Sequence, residues 1–222
     1  MCGRFALATD NETVAQQFEL PMPEGMVLAP RYNIAPTQPV AAVRLNHHHE
    51  RELTHFQWGL IPSWSKDPKM GSRLINARSE SVAEKPSFRA AFKRRRCLIP
   101  ATGFYEWQKQ NGGKQPMYIH PTDEDLFALA GLWEIWHSPD GGELESCTIL
   151  TTTPNELMEP IHNRMPVILE REDYDLWLDP GDEPEQGLHV LRPFPPHKMA
   201  AYPVSTLVNS PRNDSHECVM PL

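Results

Sequence analysis

The four cysteines, Cys2, Cys97, Cys147 and Cys218, form no CxxC pair and no short-range framework, which removes the spacing of a zinc ribbon, a redox dithiol or a disulfide-stapled scaffold. Reduced thiols in a cytoplasm are the expectation. No basic start with an apolar core precedes the body, so a secretory leader is not expected. No uninterrupted apolar stretch approaches a membrane span, since even Leu126 to Trp136 is broken by Glu134. Excess positive charge is missing too, and a formal charge of −8 argues against nucleic-acid binding by bulk basicity. No GxSxG elbow, Walker loop, HExxH helix or dinucleotide fingerprint is present.

What remains is a globular composition. The 222 residues suffice for one large domain with a substantial core, and one domain over 1–222 is expected. The 23 prolines and a mean hydropathy of −0.51 point to many turns, while 40% hydrophobic content keeps the chain in the globular class.

The periodicities favour strands. Asn11 to Phe18 reads as a short helix capped by Thr9 or Asp10. Leu20 to Pro39, rich in proline, reads as an irregular loop carrying Arg31, Tyr32, Asn33 and Pro36. Val40 to Leu45 and Leu53 to Trp58 read as paired strands, with His47, His48, His49 and Glu50 as a polar hairpin tip; adjacent histidines point in different directions and make a poor metal site. Ser87 to Arg96 has a helical apolar edge. Asn111-Gly112-Gly113 and Asp140-Gly141-Gly142 are hairpin signals flanked by Gly103 to Lys109 with Met117 to His120, and by Leu126 to Trp136 with Glu143 to Thr153. Pro166 to Leu169 reads as a strand, Glu170 to Leu178 as a helix and Met199 to Val204 as a last strand. The expected architecture is a β-rich α+β domain whose curved antiparallel sheets form a barrel-like core with short helices outside.

Charge is unevenly spread. Residues 1–100 hold 14 Lys and Arg against 9 Asp and Glu, and the remainder holds 7 against 20. Lys85, Arg89, Lys93, Arg94, Arg95 and Arg96 occur without an intervening acid, which reads first as a solvated helix face and second as a local anion-binding surface.

Chemistry begins at Cys2. A cysteine behind the initiator methionine becomes N-terminal once Met1 is removed, and then carries an amine titrating near about 8 beside a thiol near about 8.5. Such a 1,2-aminothiol traps an aldehyde as an imine that closes to a thiazolidine. Taken alone, Cys2 reads as an ordinary thiol near a frayed terminus. Three further clusters interrupt packing-driven sequence. Asn76 and Arg78 offer an amide and a phosphate-binding fork, though a turn and a surface ion pair explain them as well. Glu106 lies among Phe104, Tyr105 and Trp107, a carboxylate suited to accepting and returning a proton, or an edge-facing structural glutamate. His162 with Arg164 offers a proton carrier beside an anion holder, and a lone histidine is more often structural.

Together these segments resemble one family. Met1-Cys2-Gly3-Arg4-Phe5, Tyr32-Asn33-Ile34-Ala35-Pro36-Thr37, Trp58-Gly59-Leu60-Ile61-Pro62, Asn76-Ala77-Arg78-Ser79-Glu80, Gly103-Phe104-Tyr105-Glu106-Trp107 and His162-Asn163-Arg164-Met165-Pro166 resemble, in order and end to end, the SRAP family of SOS-response-associated peptidases or abasic-site processing proteins, in its compact bacterial form. The resemblance implies recognition of abasic sites in single-stranded DNA, alone or next to a duplex junction, and a covalent crosslink through Cys2. It implies Asn76, Glu106 and His162 as the active-site residues around Cys2, with Arg4, Pro36, Trp64, Arg78 and Arg164 as DNA contacts. His162 would serve the sugar ring oxygen, Glu106 would take the amine proton and act in reversal, and Asn76 would hold the sugar. No metal or organic cofactor is required, and a cytoplasmic monomer is expected, nucleoid-associated when on DNA. Two other classes stay open: an N-terminal-nucleophile hydrolase, supported by a Met-Cys-Gly start like that of glutamine-dependent amidotransferases and acting either generally or only in self-processing of Met1, and a non-enzymatic scaffold for exposed strands.

Overall fold

The computed structural model describes residues 2–21, 27–179, 181 and 183–222; Met1, residues 22–26, Pro180 and Asp182 lie outside the described residues. Part of the expected 20–39 loop and the expected loss of Met1 therefore fall outside them.

Five strands close on themselves. β3 (Pro39–Leu45) pairs with β4 (Arg51–Trp58) and β6 (Arg96–Ala101), β6 pairs with β9 (Phe127–His137), and β9 pairs with β10 (Glu143–Thr152). β10 returns to β4 through Ser146↔Gln57 and Cys147↔Trp58, which completes the ring. β9 is paired on both sides and almost wholly buried from Phe127 to Leu132, which is why its sequence is a near-continuous apolar run. The short β5 (Asn76–Arg78) and β11 (Met165–Pro166) attach to β10, and β12 (Ile168–Leu169) to β9.

A second sheet runs β13 (Met199–Pro203), β8 (Gly113–Pro121), β7 (Gly103–Gln110), β1 (Phe5–Leu7), β2 (Arg31–Ile34). It packs on the ring through Phe5 against Trp58 edge-on at 5.3 Å and Phe104 against Phe127 at 6.1 Å. Alternation along β7 sends Phe104 into this main core and Tyr105 to the opposite side, where it joins Tyr118, Val204, Val208 and Cys218 in a second cluster.

Among the described residues three α-helices lie outside the sheets. α1 (Asn11–Phe18) starts where Asp10 accepts the Thr13 N–H at 2.9 Å, a cap worth about 1 kcal/mol, and ends at Glu19 in a left-handed conformation. Phe18 stacks on Tyr174 of α3 (Tyr174–Leu178) at 5.5 Å. α2 (Arg89–Arg94) precedes β6.

Several expectations need correction. Arg31 to Ile34 is a strand, not loop; its partners are β1 on one edge and Asp214 on the other, and neither shows in local periodicity. The helix expected over Ser87 to Arg96 is confined to Arg89–Arg94 because Arg96 enters β6 opposite Leu132. Arg96 is 2% exposed, lies 4.5 Å from the Phe92 ring and 4.8 Å from the Trp177 ring, and donates to the carbonyls of Phe92, Leu176 and Pro184. It is a packing element and not part of an anion-binding face. Arg95 pairs with Glu134, which leaves Lys85, Arg89, Lys93 and Arg94 exposed from that run.

Pro166 to Leu169 splits into two strands that pair with different neighbours, and Glu170 to Leu178 divides into a 3-10 turn at Arg171–Asp173 and α3. The ring is also not wholly antiparallel, since β10 runs parallel to β4 and β5. A parallel pair needs a long crossover, and residues 59–142 supply it.

Candidate functional site

β1 delivers Cys2 and β7 delivers Glu106. The two strands pair antiparallel at Phe5↔Phe104, and the Tyr105 N–H donates to the Arg4 carbonyl at 2.9 Å, so continuing the register sets residues 2–4 beside residues 105–107. Cys2 is wholly buried. Burial pushes its thiol up to about 12, the negative charge of Glu106 pushes the same way, and the Arg4 backbone N–H bonded to the sulfur pulls modestly back. At neutral pH the thiol is therefore protonated and the thiolate scarce.

Glu106 is 3% exposed and faces the core side of β7, as Phe104 does, which excludes the edge-facing alternative. Its Oε2 lies 3.9 Å from His162 Nε2. His162 Nδ1 lies 3.1 Å from both the backbone N–H and the carbonyl oxygen of Arg164, which orients the ring with Nε2 towards the carboxylate. Cys2, Glu106 and His162 are thus brought together from residues 2, 106 and 162 of the chain.

Asn76 arrives through β5, whose register with β10 places Asn76 opposite Ile149 and Arg78 opposite Thr151. Its Nδ2 reaches the Ile149 carbonyl at 3.4 Å, while Oδ1 is buried without a hydrogen-bond partner among the described residues. The same end of β10 receives β11 at Thr151↔Pro166, two residues beyond Arg164.

The five expected DNA-contacting residues differ in availability. Arg78 is exposed and Trp64 is 57% exposed, its Nε1 held by the Pro86 carbonyl at 3.5 Å. Pro36 is half-buried in a turn whose Thr37 N–H donates to the Trp58 carbonyl at 2.8 Å, so this turn adjoins the segment leading to Trp64. Gly59 makes that segment's entry: it sits at φ 129°, and a Cβ there would stand 2.6 Å from the Gly71 carbonyl oxygen. Only glycine fits. Arg4 and Arg164 are largely occupied inside the protein. Arg4 Nη1 donates to Asn33 Oδ1 at 2.7 Å and to the Val208 carbonyl, and Arg164 forks onto Glu80 and donates to the Thr151 carbonyl at 2.6 Å. Glu80 and Thr151 are residues to which sequence reasoning gave no role; Glu80 lies in the same short motif as Asn76, the one signal that could have raised it.

From β4 to β6 the chain also exposes Lys66, Lys69, Arg73, Arg78, Lys85, Arg89, Lys93 and Arg94, none of them ion-paired with another described residue. A cavity of about 290 Å³ between Phe127, Ile168, Phe194 and Lys198 contains none of the candidate residues. Among the described residues no three His, Cys, Asp or Glu side chains are grouped to hold a metal, and no helix is long and apolar enough to cross a membrane. His47 to Glu50 forms the expected turn, with His49 3.5 Å from Asp179 in an exposed pair.

The SOS response associated peptidase (SRAP) family model matches residues 1–211. The chain is 46% identical to "Abasic site processing protein YoqW" of Bacillus subtilis (strain 168), over 99% of each chain. It is 38% identical to "Abasic site processing protein HMCES" of Gallus gallus, over 87% of this chain and 66% of that one. A crystal structure of a protein from Bacteroides thetaiotaomicron superposes with a TM-score of 0.86 at 28% identity, covering all of both chains.

Proposed function

Because the chain belongs to the SRAP family, we propose that it processes abasic sites in DNA, and that it does so by linking Cys2 covalently to the ring-opened sugar in single-stranded DNA, which shields the lesion. The observation that carries this reading is the convergence of Cys2, Glu106 and His162, with the Cys2 thiol felt electrostatically by Glu106 and Glu106 within 3.9 Å of His162.

With Met1 removed, the Cys2 amine is the first nucleophile. His162 serves the ring oxygen and favours the open aldehyde. Glu106 takes a proton from the Cys2 ammonium, and the free amine adds to the C1′ carbonyl. Loss of one water gives the imine, which Asn76 positions through its bare acceptor Oδ1. The thiol then gives up its proton and sulfur bonds to the imine carbon, while nitrogen gains a proton and the thiazolidine closes. Protonated Glu106 has by then lost the charge that opposed thiolate formation, so its two roles are consecutive. Reversal runs through the same groups with water added back.

Arg78 and the exposed cations from Lys66 to Arg94 are the phosphate contacts this reading favours, with Trp64 and the Pro36 turn stacking or wedging at the strand. Arg4 and Arg164 brace the site from within and meet phosphate only with the donors that remain to them.

The test is incubation with abasic single-stranded DNA, denaturing electrophoresis, and the mass of the peptide beginning at residue 2. Wild type should give a denaturation-resistant adduct and Cys2→Ala should not. An equal adduct from Cys2→Ala sinks the linkage. The word peptidase in the family's description favours a second reading, in which Cys2 is an N-terminal nucleophile acting on an amide, limited to removal of Met1. A thioester intermediate or steady release of peptide would select it.

A further inference from the structure

The segment after β13 is tied to the residues around Cys2 by an unusual density of polar bonds. Asn33 is fully buried. Its Oδ1 accepts from Arg4, and its Nδ2 faces three carbonyls of that segment, Val208 at 3.2 Å, Ser210 at 3.0 Å and Asn213 at 2.6 Å. Asp214 Oδ1 accepts the backbone N–H of Tyr32 at 2.6 Å and of Asn33 at 2.9 Å, and its Oδ2 pairs with Arg31 Nε. Trp107 Nε1 donates to Asn209 Oδ1 at 2.7 Å.

These contacts flank the reacting strands. Arg4 is held by Asn33 and Val208, and its backbone N–H bonds the Cys2 sulfur while its carbonyl takes the Tyr105 N–H next to Glu106. Trp107 lies on the other side of Glu106. The segment buries little apolar surface of its own, chiefly Val208 and Cys218, so its attachment depends on directional bonds that also fix β2 and Arg4. Asp214 lies beyond the residues matched by the family model.

We infer that residues 205–219 form a strap that holds the Cys2 aminothiol against Glu106, with Asn33 and Asp214 as positioning residues for the reaction at Cys2. This rests on the reading of Cys2 as the nucleophile. A displacement of about 1 Å at a reacting group is enough to cost on the order of 10²-fold in rate. The strap acts on Cys2 through the backbone of Arg4, so loosening it is expected to slow the covalent step rather than the capture of DNA.

The experiment compares mature, full-length wild type, Asp214→Ala and Asp214→Asn in two single-turnover reactions: with abasic single-stranded DNA over a range of DNA concentrations, and with glycolaldehyde, read by the mass of the Cys2 peptide. Asp214→Ala should lower the limiting rate on DNA about tenfold with half-saturation unchanged, and lower the glycolaldehyde rate similarly. Asp214→Asn keeps an acceptor for both N–H groups and should stay within about twofold of wild type. If Asp214→Ala does not fold, Asp214→Glu, which keeps the charge and displaces the acceptors, replaces it with the same expected direction. Unchanged rates in both reactions overturn the strap, and so does a raised half-saturation on DNA with an unchanged glycolaldehyde rate. Failure of wild type to crosslink abasic DNA would instead overturn the proposed function, and the glycolaldehyde comparison would still judge the strap.

Discussion

Glu106 Oε2 and His162 Nε2 stand 3.9 Å apart, the carboxylate closed off from solvent and the imidazole at its edge, with side-chain exposures of 4% and 27%. The gap is too long for a direct hydrogen bond and short enough for both groups to reach one atom of a bound sugar. In the proposed mechanism they serve the same substrate from adjacent positions.

Acting as a unit, the two should not contribute additively. Glu106→Gln and His162→Ala are each expected to slow adduct formation on the order of 10²-fold, and the double variant by much less than the product of the two. Single-turnover crosslinking of all four proteins checks this. Independent, multiplicative effects would show that the groups serve separate steps.

The buried Cys2 thiol makes a second prediction, about stability. Its folded pKa of about 12 lies above the ordinary 9.0, so the native state holds the proton more tightly than the unfolded chain. The associated stability is complete below pH 9 and is lost as pH rises towards 12, by up to about 4 kcal/mol. Burial also raises Cys97, Cys147, Tyr105 and Tyr118, so the whole protein should weaken steeply in this window. Urea unfolding at pH 8 and pH 11 should show a smaller loss in Cys2→Ala than in wild type. Parallel losses in the two proteins would contradict a native-state shift at Cys2.

The proposed phosphate contacts, exposed cations that pair with no other described residue, make DNA capture salt-dependent. Reversing Lys85, Arg89, Lys93 and Arg94 to glutamate should weaken capture of single-stranded DNA and flatten the fall of affinity with salt, while the limiting rate of crosslinking stays near wild type. Binding isotherms at 50 and 200 mM salt, values of about the range where counterion release is large, decide it. An unchanged slope would return this surface to a solvated helix face.

What the sequence made legible follows from where the information lay. Local signals carry their elements: the cap at Thr9 or Asp10, which Asp10 fills, the two glycine hairpins, and the β3–β4 pair all depend on neighbours within a few residues. β1, β2 and β5 were missed because each is three or four residues long and exists only through partners far along the chain. At the site, the motifs named Cys2, Glu106 and His162, but nothing local could show that Arg4 is held by Val208 or that Arg164 forks onto Glu80. Arg96 is the clearest case: in a run of basic residues it looks like surface charge, and only the Phe92 and Trp177 rings with the carbonyls of Phe92, Leu176 and Pro184 make it core.

Asn76 offers the sharpest separation of a functional from a structural role. Among the described residues its Oδ1 is buried with no hydrogen-bond partner, a state that costs about 1–3 kcal/mol, and the contact from Nδ2 to the Ile149 carbonyl is long at 3.4 Å. In the proposed mechanism that acceptor takes a donor that arrives with substrate, a sugar hydroxyl or a protonated imine nitrogen. Asn76→Ala should therefore leave the melting temperature unchanged or slightly raised while slowing adduct formation tenfold or more, the opposite signs expected where stability and activity are in tension. Thermal unfolding and single-turnover crosslinking of the same preparation give both readings. A variant that melts earlier yet crosslinks at the wild-type rate would make Asn76 a strand residue and remove it from the site.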